Sequence, residues 1–158
     1  MLEQLTRINC QINDMMKAGH GNAPEITSFD LIACVPPTLS GQLILYIVQQ
    51  HRPPRQLNDL ITNHCVKHYN RVKNRKQWLR KSKSLQEYDI KRMGEIAINS
   101  IVENKHITYR ELAEKLCESP STCQRNHEPV FDELYYFIIS SLSASATGTI
   151  KRLKNKII

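Results

Sequence analysis

Apolar residues recur along this chain at three- and four-residue steps, the spacing that places them on one face of a helix. Leu2, Leu5, Ile8, Ile12 and Met15 predict an amphipathic helix over 2–18. Its face packs either on the chain's own core or on a second copy, as a homodimer seam. Gly19-His20-Gly21-Asn22-Ala23-Pro24 breaks the pattern and predicts a loop. A short helix is expected over 28–35, capped by Ser28 and ended by Pro36-Pro37. Leu39 to Gln50 holds the run LILYIV. Its pattern fits a buried helix or a buried strand, and its helical neighbours favour the helix. After the turn Arg52-Pro53-Pro54-Arg55, a long helix is expected to about Lys81, with the stripe Leu57, Ile61, Cys65, His68 and Val72. Ser84 and Glu87 suggest a capping box for a helix to Asn104, whose inner stripe is Met93, Ile96, Ala97 and Ile101.

Two short helices are then expected over 108–128. Thr108 and Glu111 form a capping box for the first, with Leu112, Ala113 and Leu116 on one face. Ser119 caps the second, Pro120 suits its first position, and Pro129 should stop it after about two turns. Phe131, Leu134, Tyr135 and Ile138 mark a further helix, with Asp132 and Glu133 in its first turn. Ser140 to Thr149, rich in Ser, Ala and Thr, reads as a loop. IKRLKNKII reads as a basic amphipathic tail. The expected fold is therefore all-α. A helical N-terminal region, 1–82, precedes a C-terminal head, 83–158.

The run LAEKLCESPSTCQR resembles the helix-turn-helix of bacterial transcription regulators. Ala113 matches the small residue that lets the two helices approach. Ser119-Pro120-Ser121-Thr122 matches the start of the recognition helix, which Arg125 also joins. Cys123 stands where that family usually has Val or Ile. Cys117 replaces the usual turn Gly, and Glu118 replaces a small apolar residue. The likeness covers about 20 residues and implies a helix that enters the major groove of DNA. The alternative for the same stretch is a well-capped structural hairpin. ITYRELA also resembles the DNA-binding domain of alkyltransferases. The Pro-Cys-His-Arg nucleophile motif of that family is absent, so the likeness implies no repair chemistry.

Charge adds weight to a polyanionic partner. The 158 residues carry a formal net charge of +7, with a pI near 9.3. No acidic residue lies between Leu60 and Gln86, whereas Lys67, Arg71, Lys73, Arg75, Lys76, Arg80, Lys81 and Lys83 all do. Such a run is either a solvated face or a footprint for phosphates. Tyr69 and Trp78 lie within it and suit core packing better than base stacking. The first ten residues lack a signal-peptide pattern, and no apolar run reaches the roughly 18 residues of a membrane span. Five cysteines without paired spacing suit free thiols and a cytoplasmic setting.

Catalytic and metal patterns are weak. His64 and His68 are one helical turn apart, and Cys117, Cys123 and His127 could join them, but the tight pairs of zinc sites are missing. No nucleotide loop, nucleophile triad or paired-carboxylate motif occurs. The sequence thus predicts no enzyme, no metal and no cofactor. It predicts a transcription regulator bound to double-stranded DNA, without membrane attachment and of bacterial, phage or plasmid type. Ser121, Thr122, Gln124 and Arg125 are expected at the bases, with Thr108, Tyr109 and Arg110 near the backbone. Arg71, Lys73, Arg75, Lys76, Arg80, Lys151, Arg152 and Lys154 are expected at phosphates. The alternative is a basic adaptor for RNA or RNA polymerase, as in antitermination, in which the hairpin is structural.

Overall fold

The computed structural model describes Cys10, residues 27–76 and residues 85–157. The expected helix over 2–18, the loop at 19–24, the cap Ser84, and Trp78, Arg80, Lys81 and Lys83 lie outside the described residues. So does the expected boundary between 82 and 83. Every described element is helical, and no strand occurs among the described residues. The fold is all-α.

The described residues fall into two compact units. One groups residues up to Pro53 with Ile139 onward, and the other runs from Pro54 to Ile138. In the first unit, α1 spans Ser28–Cys34. Its cap is Thr27, not Ser28: Asp30 accepts from the Thr27 amide, and Thr27 Oγ1 accepts from the Asp30 amide. Helix α2 spans Leu39–Gln49, capped by Thr38. Gly41 is required in its first turn, because a Cβ there would lie 2.0 Å from the carbonyl oxygen of Pro36. Leu31, Cys34, Leu43 and Ile44 are buried, as are Leu142, Ala146 and Leu153. Arg152 Nε donates to the Cys34 carbonyl at 2.6 Å, and Lys156 pairs with Asp30 at 3.1 Å.

In the second unit, α3 spans Arg55–Val72 and α4 spans Glu87–Val102. Helix α3 ends well before Lys81, in a turn over 73–75. Helix α4 starts at Glu87, and its box acid is Asp89, which accepts from the Gln86 amide at 3.1 Å. Leu57, Ile61, Cys65 and Tyr69 of α3 are buried, as are Ile90, Met93, Ile96, Ala97, Ile98 and Ile101 of α4. The two helices approach closely at Gly94, where a Cβ would stand 3.2 Å from Thr62 Cγ2 and 3.4 Å from Cys65 Sγ. Burial pushes the Cys65 thiol up to about 12.

Helix α5 spans Tyr109–Leu116 and is followed by a single turn, α6, at Pro120–Thr122. The chain does not stop there. A π-helical turn at Cys123–His127 leads into α7, Glu128–Ile157. The expectation that Pro129 ends the helix rests on its missing N–H and on its ring, which crowds the carbonyl four residues earlier. The π turn lies directly ahead of it, with the Glu128 amide bonded five residues back to the Cys123 carbonyl. The helix runs on through Pro129 after this wider turn instead of ending there. Two further expectations fail with it. Asp132 and Glu133 do not open a helix, and 140–149 is helical, not a loop. The hydroxyls of Thr147 and Thr149 bond back to the carbonyls of Ser143 and Ser145, so a Ser/Thr-rich stretch stays satisfied within the helix.

Candidate nucleic-acid interface

The local chemistry of 108–128 makes two short elements and a tight turn. Thr108 Oγ1 accepts from the Glu111 amide at 3.3 Å, and Glu111 Oε2 accepts from the Thr108 amide at 2.9 Å. This backbone bond, followed by the Lys105 ammonium at 3.0 Å, holds the Glu111 carboxyl down at about 2. At the other end of α5, Cys117 is left-handed, with φ 56° and ψ 40°. The Glu118 amide bonds to the Ala113 carbonyl at 2.9 Å and the Cys117 amide to Glu114 at 3.2 Å. This is the Schellman pattern, normally completed by Gly. Arg92 Nη2 reaches from α4 to the Lys115 carbonyl at 2.5 Å, adding a cation to the carbonyl end of α5. Neither periodicity nor motif singles out Arg92.

The turn packs α5 against α6 and the π turn. Leu112, Ala113 and Cys123 are buried, as the expected junction requires. Burial, with Glu128 and Glu118 nearby, pushes the Cys123 thiol up to about 11, which disfavours the reactive thiolate. Ser121, Gln124 and Arg125 are exposed. Gln124 and Arg125 make no side-chain hydrogen bond or ion pair among the described residues. Thr122 is half-buried, and the cap uses its polar groups: Ser119 Oγ accepts from its amide at 3.3 Å and lies 2.8 Å from its hydroxyl. Thr108 is likewise occupied by its own cap. Arg110 lies over the Tyr109 ring, 5.8 Å from the centroid, and both remain at the surface of α5.

The cations divide differently from the sequence run. Lys76 Nζ lies 2.6 Å from Glu133 Oε2, and Glu133 is only 10% exposed. Glu133 Oε1 is 3.0 Å from His68 Nε2, and the His68 ring stacks on Phe137 with centroids 4.2 Å apart. Arg71 Nη2 is 3.1 Å from His68 Nδ1. Guanidinium cannot accept, so Nδ1 accepts and the imidazole proton sits on Nε2, facing Glu133. Burial acts to raise the Glu133 carboxyl, but the bonds from Lys76 and His68 prevail and hold it below its ordinary value. Arg71 and Arg75 are exposed, and the Lys73 ammonium lies over the Tyr69 ring at 5.9 Å. Lys151, Arg152 and Lys154 belong to the other unit, where Arg152 is tied to Cys34.

His68 is thus a packing and hydrogen-bonding residue, and His64 is exposed on α3. Among the described residues no group of three His, Cys, Asp or Glu could hold a metal ion. His127 is buried in the π turn, with its Nδ1 unpaired. No described helix is long and apolar enough to cross a membrane. No protein-family model, curated protein or solved structure matches the chain.

Proposed function

We propose that the unit from Pro54 to Ile138 binds double-stranded DNA and reads its sequence, with α5, the turn and the start of α6 acting as a helix-turn-helix of a transcription regulator. One observation carries the reading. Cys117 takes the left-handed conformation that the turn glycine takes in that motif, while Ala113 and Cys123 are buried and Gln124 and Arg125 are exposed. Ser121, Gln124 and Arg125 are the base-reading candidates. Arg71, Lys73 and Arg75 are the phosphate candidates of the same unit.

A second reading, the RNA- or polymerase-binding adaptor, has its own support. The helical run does not end after two turns but continues from Pro120 to Ile157, which suits a structural hairpin. Selection of bound sites from random duplex DNA distinguishes the two. Sequence-specific reading yields an enriched motif. No enrichment, together with tight salt-sensitive binding to RNA, establishes the adaptor instead.

A further inference from the structure

Helices α3 and α4 frame a groove of about 480 Å³ within the unit from Pro54 to Ile138. Its walls are two helical faces. Arg55, Asn58, Asp59 and Thr62 follow one another at helical spacing on α3. Tyr88, Lys91, Arg92 and Glu95 do the same on α4. The close approach at Gly94 sets the distance between these walls. The volume lies within the roughly 300–1,000 Å³ of small-molecule sites.

Several polar groups here are already committed. Lys91 pairs with Glu87 at 2.8 Å, Arg92 holds the Lys115 carbonyl, and the Thr62 hydroxyl bonds to the Asp59 carbonyl at 3.1 Å. The remaining groups define a guest. Asn58 Oδ1 is buried with no hydrogen-bond partner. The Asp59 and Glu95 carboxylates and the Arg55 guanidinium make no side-chain bond among the described residues. Tyr88 is 68% exposed, although it is a large aromatic. The groove therefore offers one buried acceptor without a donor, Asn58 Oδ1, beside two exposed carboxylates, an exposed guanidinium and an aromatic face.

We infer that this groove binds a nucleoside monophosphate. A simple anion would answer Arg55 but make no use of the Tyr88 ring and stand near the Asp59 and Glu95 carboxylates as a like charge. A simple cation would meet the Arg55 guanidinium as a like charge. A nucleoside monophosphate meets all of them. Its base stacks on Tyr88 and donates an exocyclic N–H to Asn58 Oδ1, its remaining N–H and hydroxyl donors meet Asp59 and Glu95, and its phosphate meets Arg55. The inference does not depend on the DNA-binding reading, since none of these residues belongs to 108–128.

Calorimetric titration of the full chain with GMP and AMP tests it, with guanosine and inorganic phosphate as controls. Saturable one-to-one binding of at least one nucleotide is expected, tighter than either control. Tyr88→Ala removes an exposed ring, so it should leave the fold intact by circular dichroism and weaken nucleotide binding about 5- to 100-fold. Arg55→Ala should weaken the nucleotide and leave the nucleoside unchanged. Lack of saturable binding by both nucleotides overturns the inference. So does binding that inorganic phosphate matches, or that Tyr88→Ala leaves untouched. Binding only of an oligonucleotide, with neither mononucleotide, also overturns it.

Discussion

Lys76 Nζ and Glu133 Oε2 meet at 2.6 Å although 57 residues separate them in sequence. Glu133 is 10% exposed and Lys76 40%, so the carboxylate is the group that depends on its partners. It also faces His68 Nε2 at 3.0 Å. Glu133→Ala removes the carboxylate that the His68 N–H and the Lys76 ammonium share. The expected cost is about 1–3 kcal/mol, read as a lower urea midpoint with an unchanged slope. Lys76→Ala should cost less, because its own head is partly in water.

The same ion pair sets a pH dependence. The Glu133 carboxyl is held below its ordinary value of 4.5 in the fold. A group depressed by folding contributes stability that is present above its unfolded value and lost as pH falls through its folded one. The contribution should therefore fade below about 4.5. Urea midpoints of the chain and of Glu133→Gln, taken across that range, should converge as pH falls. Parallel curves would place the acid sensitivity elsewhere.

Cys117 offers a stability gain. It is left-handed, with φ 56°, and its side chain is exposed, so it packs against little. Glycine takes this conformation without the Cβ penalty. Cys117→Gly should raise stability by about 1 kcal/mol and leave the proposed DNA binding unchanged. Cys117→Val should lower it, because a β-branched side chain is strained there. A glycine variant no more stable than the parent would mean that the relief at φ 56° does no more than offset the greater freedom glycine gives the unfolded chain.

These sites mark what sequence pattern can and cannot reveal. The capping box of Thr108 and Glu111, the stripe of Met93, Ile96, Ala97 and Ile101, and the junction of Ala113 and Cys123 all follow from short-range spacing. Local rules specify them, and the structure has them. The Glu133 pairing depends on two elements meeting, and nothing near Lys76 announces it. Pro129 and the Ser/Thr-rich stretch at 140–149 mislead for a related reason. Propensity favours a break at both, but burial of Val130, Leu134, Leu142, Ala146 and Leu153 favours one continuous helix, and packing prevails.

The cations of α3 should act as a sequence-independent term. Arg71→Gln, Lys73→Gln and Arg75→Gln together should weaken binding to every duplex and preserve the ratio between selected and scrambled sites. The slope of log affinity against log salt should become shallower by about one unit for each phosphate that is no longer neutralised. Lys76 is left out because its removal acts through Glu133 on stability. An unchanged slope would mean that this face is merely solvated.

Arg125 provides the sharpest test of base reading. Cys123 and His127 point inward from the π turn, whereas Gln124 and Arg125 lie exposed between them. Arg125 makes no ion pair among the described residues, so its removal should not disturb the fold. A guanidinium can pair bidentately with guanine, an interaction worth about 1–3 kcal/mol against a wrong base. Arg125→Ala should therefore weaken binding to a selected site about 5- to 100-fold, and binding to scrambled duplex far less. Both affinities are to be measured at one salt concentration, since bulk charge otherwise hides the difference. An equal effect on both duplexes would make Arg125 a phosphate-binding residue. No effect on either, in a variant with an unchanged urea midpoint, would leave α5, the turn and α6 as a structural hairpin and turn the search for the interface toward RNA.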